Sequence, residues 1–524
     1  MNRRDVKLQR KGIMSRENAM LIEELLTPAM RFHKAGQFQN AISAYHDALA
    51  KEPDCADAWC NISNALGEMG QHEEAITAAR RALELNPKMP DAHNNLASGF
   101  MQMGYAKEAF AEFREAANLK LFDWNFRRNL LAGSLYCDDL DAAAIGKLHK
   151  AVAGVFGKPG IARPKLREAR WRTRIGFLSS DLRNHVVSNS LLPLVWALDP
   201  SKFDITFIGH DSAHDHISAK YRERADAWVN IDGVADSVAA DRIRAANLDM
   251  LVSLAGHLDR NRPTIASWRV APIQVSMFDI ATSGLPAMDY LVADEWTVPV
   301  GGQEWFAESV VRVNPIYVSA PPKNYPAPKD ERDASTVTFG CFNNPAKISP
   351  SCLRAWAEIL DREPRGALVL GYKTVYAQKM ARDRVLAAMP GIDPSRITFL
   401  AYEAPEPDHL ARYHKIDVAL DTFPFSGSTT SFHALAMGVP LITLPSDRMA
   451  GRWSYSMLQC ARFEAWVASG LVEYINKALT FGGHNAEDRA MQREQLMASP
   501  ICNVEAYAAN LAHALEEIAE RAYA

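Results

Sequence analysis

Small and apolar residues recur through the first third of the chain at the spacing of paired amphipathic helices. Gly36, Gly70 and Gly104 lie 34 residues apart, as do Ala41, Ala75 and Ala109, and again Ala48, Ala82 and Ala116. Tyr45 and Phe113 hold matching places with Ala79 between them, and Pro53 and Pro87 close the first two units. Glycine lets the chain turn between antiparallel helices, small alanines let one helix lie close on the other, and proline ends the second helix. The pattern predicts helix pairs over 22–55, 56–89 and 90–123, with a degenerate fourth pair over about 124–156 capping the stack. From Arg174 onward short apolar runs alternate with helical periodicity. Strands are predicted at 174–178, 204–208, 249–254, 271–276 and 289–293, then at 337–342, 367–371, 397–400, 416–420 and 440–444. Helices are predicted at 350–361, 375–388, 406–413, 429–437 and 503–521, the last capped by Asn503. This alternation argues for two parallel sheets covered by helices. Pro-rich stretches at 157–165 and 320–335 read as linkers. The expected units are a tail (1–21), a repeat array (22–156) and two α/β halves (157–325 and 326–524).

Composition narrows the classes. The 524 residues carry 58 Lys+Arg against 62 Asp+Glu, a net charge of -4, so no global basic field argues for nucleic acid or an anionic membrane. The seven cysteines form no CxxC pair, which excludes a disulfide scaffold and a four-cysteine zinc site. No apolar run approaches the ~18 residues of a membrane span, and no apolar signal core follows the basic N-terminus. The expectation is a cytoplasmic, multidomain protein. GxGxxG and GxxxxGK[ST] are both absent, against a dinucleotide enzyme and a P-loop ATPase.

Three strand-end loops carry candidate chemistry. The segment from Asp421 to Ser431 follows one predicted strand and opens the 429–437 helix. Ser428, Thr429 and Thr430 there offer hydroxyls and backbone N–H groups to a phosphate, although a plain helix cap uses the same residues. Lys347, with Asn344 in the same loop, follows the 337–342 strand, where an ammonium can neutralise a diphosphate leaving group. His185 follows the first strand and can orient or deprotonate a hydroxyl, and His257 ends another first-half strand. A buried, backbone-bonded histidine is the alternative for both. Neither lies in an HxH or HxxxH spacing, so a metal site has little support.

The repeat columns resemble the tetratricopeptide repeat, a solenoid whose concave groove holds a peptide or protein. Together with GFLSSDLRNH (176–185), AGH (255–257), APIQ (271–274), TSG and MDY within 282–290, FNNPAKISP (342–350), LDTFPFSGSTT (420–430) and ALAMGVP (434–440), the chain resembles the O-GlcNAc transferase/SPINDLY glycosyltransferase family. The resemblance implies a GT-B fold of two Rossmann-like domains. It also implies inverting, metal-independent transfer from a nucleotide sugar, usually UDP-linked, to a protein Ser or Thr, with no further cofactor. Lys347 matches the lysine that grips the diphosphate. Thr429 and Thr430 match phosphate-binding threonines, His409 matches the histidine that stacks on the uracil, and His185 matches an active-site histidine.

Some positions depart from the family. Ser428 replaces a histidine, His433 a ribose-holding carboxylate, and Glu406 a basic residue that reads the base. Asp279 or its neighbour falls where relatives place a glycine near the sugar. With His257 and Thr282 it is expected in the sugar or acceptor pocket, where its side chain would disfavour an N-acetylhexose. The implied partners are an acceptor protein in the repeat groove and the nucleotide sugar, with homo-oligomerisation left open. Two alternatives stand. One is the same architecture with another UDP-hexose or a CMP-linked acidic sugar, acting on flagellin or another surface protein. The other is a non-catalytic repeat scaffold with a degenerate transferase unit.

Overall fold

The computed structural model describes all residues except 1–23, 159–160, 166–171, 210–214, 259, 320–324, 328, 330–335, 402–405, 481–484 and 524. The expected N-terminal tail and most of the second linker lie outside the described residues.

The repeats form as their columns require. After a helix over 24–34, helices Phe38–Lys51, Ala56–Glu68, His72–Leu85, Pro90–Gln102 and Ala106–Leu119 stack in antiparallel pairs. The three period-setting glycines adopt φ of 71°, 75° and 85°, the left-handed region that favours glycine. The alanine columns are buried: Ala41, Ala79, Ala82, Ala109 and Ala116 are each no more than a few per cent exposed. Trp124–Ser134 and Ala142–Gly154 form the degenerate capping pair.

Beyond the cap lie two parallel sheets. The first contains β1 (Thr173–Leu178), β2 (Phe203–Gly209), β3 (Ala227–Asn230), β4 (Met250–Leu254), β5 (Ile273–Met277), β6 (Tyr290–Ala293) and β7 (Ser309–Arg312), in the order β3-β2-β1-β4-β5-β6-β7. The second contains β8 (Val337–Cys341), β9 (Gly366–Gly371), β10 (Ile397–Leu400), β11 (Val418–Leu420) and β12 (Leu441–Ile442), in the order β10-β9-β8-β11-β12. Central strands β4 and β5 are buried along their full length, as a sheet covered on both faces requires. This is the expected solenoid followed by two Rossmann-like units.

The packing of two segments crosses the expected unit boundaries. The C-terminal helix Val504–Tyr523 does not belong to the second half. Its apolar stripe, including Tyr507, Leu511 and Leu515, packs with Phe177 and Leu191 of the first half, and Lys202 donates to Glu516 at 3.0 Å. The repeat array packs on the α/β halves, with one apolar core running from Ile76 and Phe100 through the cap into the second sheet. Gln378 of the second half donates to the Gly70 carbonyl (2.9 Å) and accepts from the Glu73 amide (2.8 Å). A Cβ on Gly104 would lie 2.6 Å from Arg384 and 2.9 Å from the Pro345 carbonyl.

Candidate active site

Strand order reverses between β1 and β4 in one sheet and between β8 and β11 in the other. In open parallel sheets this crevice, at the carboxyl ends of the strands, is where ligands bind. The loops leaving those strands, with the loop after β5, line a cleft between the halves. His185 and Ser190 enter it after β1, Ala255 after β4, and Phe278 and Ile280 after β5. Lys347 enters after β8, and Phe425, Ser428 and Thr429 after β11. Tyr136 from the cap and Tyr317 from the segment joining the halves complete its walls.

The β11 loop is organised from beneath by a buried carboxylate. Asp421 accepts from the amides of Gly427 (2.7 Å) and Thr422 (2.9 Å) and from the Thr443 hydroxyl (2.7 Å), and burial raises its pKa. This folds the loop so that Lys347 can donate to the Ser426 carbonyl at 2.9 Å, with its ammonium 4.2 Å from the centre of the Phe425 ring. Desolvation lowers the Lys347 pKa from 10.5 to about 8, while Asp421 and Cys341 pull it upward. Helix Thr429–Ala436 begins at the cleft, and Ser428, at its cap position, makes no side-chain capping bond. Thr429 and Tyr317 both face this cleft. An ammonium and a helix N-terminus thus converge on one cavity, the arrangement that stabilises a diphosphate.

One turn along that helix from Thr429, the His433 ring lies 5.7 Å from His409 and 5.7 Å from Tyr325. Burial lowers His409 to about 4 and His433 to about 3, so both are neutral at pH 7. Across the cleft, His185 is partly buried. Its Nδ1 accepts from the Val187 amide (3.4 Å) and lies 3.9 Å from the buried Asp181 carboxylate.

Other sequence-derived candidates lie elsewhere. Asn344 caps its own short turn, accepting from the Ala346 amide at 3.0 Å. The Thr430 hydroxyl donates to Asn343, which in turn donates to Thr422 at 3.1 Å, so Thr430 braces the loop while Thr429 faces the cavity. Asp279 is not on the pocket wall. Its backbone turns under the loop, and the carboxylate, 2% exposed, accepts from the Ser276 hydroxyl and the Ile280 amide, both at 2.8 Å. A Cβ on Gly256 would meet that carboxylate at 2.2 Å, which explains the glycine. Burial, assisted by Glu308, raises Asp279 to about 7. Thr282 donates to the buried Glu308 carboxylate at 2.6 Å and borders a separate apolar hollow. His257 also lies away from the cleft. Its Nε2–H donates to the Ser283 carbonyl (2.7 Å), its ring is 5.4 Å from His149 of the cap, and burial lowers its pKa to about 3. The side chain of Glu406 lies outside the described residues.

Sequence reasoning missed four contributors. Ala255 and Phe278 line the cleft with φ of 57° and 54°, left-handed conformations that side-chain-bearing residues rarely adopt and that concentrate at functional sites. Asn343, beside the noticed Asn344, is the residue that ties the β8 loop to the β11 loop. Tyr136 comes from the cap, which sequence assigned to the repeat array and not to the cleft. Among the described residues no group of three or more His, Cys, Asp or Glu could hold a metal, and no helix is long and apolar enough to cross a membrane.

Comparison with known proteins matches this layout. The family model for glycosyl transferase family 41 matches residues 148–319 and 316–511, and a tetratricopeptide-repeat model matches 32–97. The chain is 29% identical over 350 residues to the probable UDP-N-acetylglucosamine–peptide N-acetylglucosaminyltransferase SPINDLY of Solanum lycopersicum, covering 64% of this chain and 38% of that protein. It is 30% identical over 368 residues to the corresponding probable enzyme SEC of Arabidopsis thaliana, covering 66% of this chain and 37% of that one. The chain thus spans under two fifths of the length of these curated relatives. A solved structure of a mutant O-GlcNAc transferase from Thermobaculum terrenum superposes with a TM-score of 0.87 at 30% identity, covering 96% of this chain and 98% of that one. The family match runs through both walls of the cleft that holds His185, Lys347 and Thr429, and on that match the chain belongs to glycosyl transferase family 41.

Proposed function

We propose that this chain is a protein O-glycosyltransferase. A nucleotide sugar binds in the cleft, and the sugar passes with inversion to a Ser or Thr hydroxyl of a protein held by the repeats. One observation carries the reading: Lys347 and the N-terminus of helix Thr429–Ala436 meet at one cavity with His185 on the opposite wall. In the transfer, the acceptor oxygen attacks the anomeric carbon, the bond from that carbon to the phosphate oxygen breaks, and the electron pair leaves on the diphosphate. The acceptor proton is released as the new bond forms. The charge that develops on the leaving group is met by the Lys347 ammonium and the helix N-terminus, both fixed beforehand. His185 orients the sugar or the acceptor hydroxyl.

Neutral His409 and His433 with Tyr325 supply ring edges and faces for a base beyond the diphosphate position. The steric objection to an N-acetylhexose rested on Asp279, which is buried beneath its loop, so UDP-N-acetylglucosamine, the donor in the relatives' names, is the first candidate. Ser428 and His433 are the departures that bear on the donor. A panel of UDP-N-acetylglucosamine, other UDP-hexoses and a CMP-linked acidic sugar, read by thermal shift and donor hydrolysis, tests the proposal. A UDP-sugar should both stabilise the protein and turn over. Absence of binding and hydrolysis across the panel would leave the repeat-scaffold reading in its place.

A further inference from the structure

We propose that Tyr136, carried by the turn between the two cap helices of the solenoid, is a positioning residue for Lys347 and acts on it through the ring of Phe425. The inference rests on reading the cleft as the diphosphate site.

Two contacts hold the Lys347 ammonium: the Ser426 carbonyl at 2.9 Å and the Phe425 ring at 4.2 Å. Phe425 itself sits where three parts of the molecule meet, in a small apolar cluster with Leu135 and Ile145 of the cap, Ala281 of the first half and Ala450 of the second. Tyr136 packs against it with ring centres 4.7 Å apart and planes inclined by 37°, and also lines the cleft.

The turn that presents Tyr136 is clamped by the second half. The Arg448 guanidinium donates to the carbonyls of Leu135 (3.3 Å), Cys137 (2.9 Å) and Leu140, and Asp447 accepts from the Ala142 amide at 2.8 Å. The half that carries Lys347 thus grips the cap, and the cap returns a ring that steadies Lys347. Tyr136 does two things there. It limits the tilting of Phe425, so that the ammonium keeps a fixed partner. It also fills the wall beside that ring, so that water stays away.

Removing the Tyr136 ring should therefore loosen the ammonium and hydrate it. Loosening weakens diphosphate binding, and hydration returns the lysine toward its ordinary titration. The other ionisable groups around it are Asp421 and Cys341 on its own half, and His185 and Tyr317 on the cleft walls. The readout must therefore belong to Lys347 alone.

The test uses the full chain with Tyr136→Ala, Tyr136→Phe and Phe425→Leu. UDP affinity is measured by calorimetry at pH 7, and the pH midpoint of Lys347 acylation by peptide mass spectrometry without nucleotide. Tyr136→Ala should weaken UDP binding roughly 3- to 30-fold, the scale of a partly desolvated cation–ring contact. It should also raise the Lys347 midpoint, while Tyr136→Phe retains both wild-type values. Phe425→Leu, which keeps the apolar bulk, should reproduce the two changes even if Tyr136→Ala folds poorly. A Lys347 midpoint indifferent to Tyr136→Ala overturns the proposal, and one that moves with Tyr136→Ala but not with Phe425→Leu overturns the route through the Phe425 ring. A wild type that binds no UDP overturns the diphosphate reading instead, and the acylation midpoint still decides whether Tyr136 acts on Lys347.

Discussion

Replacing Lys347 should pull stability and catalysis in opposite directions. Folding lowers its pKa from 10.5 to about 8, which corresponds to about 3 kcal/mol against the charged form. Lys347→Met keeps the apolar stem, removes that charge and gives up the 2.9 Å bond to the Ser426 carbonyl, a charged hydrogen bond worth about 1.5–3 kcal/mol. The variant is therefore expected to be no less stable than wild type at pH 7, and up to about 2 kcal/mol more stable. Linkage fixes the sign of its pH dependence. Because the folded pKa lies below the unfolded one, the unfolded chain holds the extra proton between pH 8 and 10.5, and the wild type gains stability as pH rises through that window. The Met variant should lack this gain. Function moves the other way. A unit charge about 4 Å from a phosphate at an effective dielectric of about 20 contributes about 4 kcal/mol. Loss of one preorganised partner at a developing charge lowers turnover about 100- to 1000-fold. Urea unfolding at pH 7 and 9.5, beside transfer kinetics, reads both effects. A variant that turns over like wild type, or that loses more than about 2 kcal/mol of stability, refutes the reasoning.

Gly36 and Gly104 share a left-handed backbone, but only Gly104 faces other atoms, so Gly36→Ala should cost about 1–2 kcal/mol and Gly104→Ala more, with weaker UDP binding because the Pro345 loop carries Lys347; equal effects would show that the repeat turn does not press on that loop. Asp279→Asn should leave the order of preference among UDP-hexoses unchanged, since the carboxylate bonds Ser276 and Ile280 beneath the loop, and competition assays that reorder the donors would return it to the pocket. His257 is neutral in the folded chain, with a pKa of about 3 against 6.5, so stability should fall as pH drops below 6.5, by about 2 kcal/mol at pH 5. His257→Asn should remove about 2 kcal/mol of the loss between pH 7 and 5 read from urea unfolding, the remainder coming from His149, His409 and His433, and an unchanged slope would place the acid sensitivity elsewhere.

Sequence showed the periodic parts best. A 34-residue column of glycines has one physical meaning, and all three adopt positive φ. Apolar runs such as ITFI in β2 and MLVSL in β4 marked central strands because both faces are buried. The edge strands β3 (AWVN) and β7 (SVVR) escaped because their residues are half-exposed and show no apolar run. The short helices Trp453–Cys460, Leu471–Thr480 and Ala486–Met497 went unmarked as well. For the C-terminal helix the apolar stripe was visible, but a stripe does not say which sheet it covers.

Among the candidate residues, those placed by their own loop and helix start, Lys347 and Thr429, reach the cleft. Those whose direction depends on a distant partner were misplaced or missed. Asp279 looked like a pocket residue because a left-handed Phe278 cannot be read from a sequence, and that turn sends the carboxylate inward. Arg448 reaches the Leu135 and Cys137 carbonyls on either side of Tyr136, more than 300 residues away in the chain, only after the cap has packed on the second half.

A crystal structure with UDP tests the reading of the cleft most directly. The diphosphate should lie within hydrogen-bond reach of Lys347 Nζ and of the backbone amides at the start of helix Thr429–Ala436, with the base beside His409 and His433. UDP bound away from this cleft, or no binding at concentrations that saturate other nucleotide-sugar enzymes, would contradict the assignment.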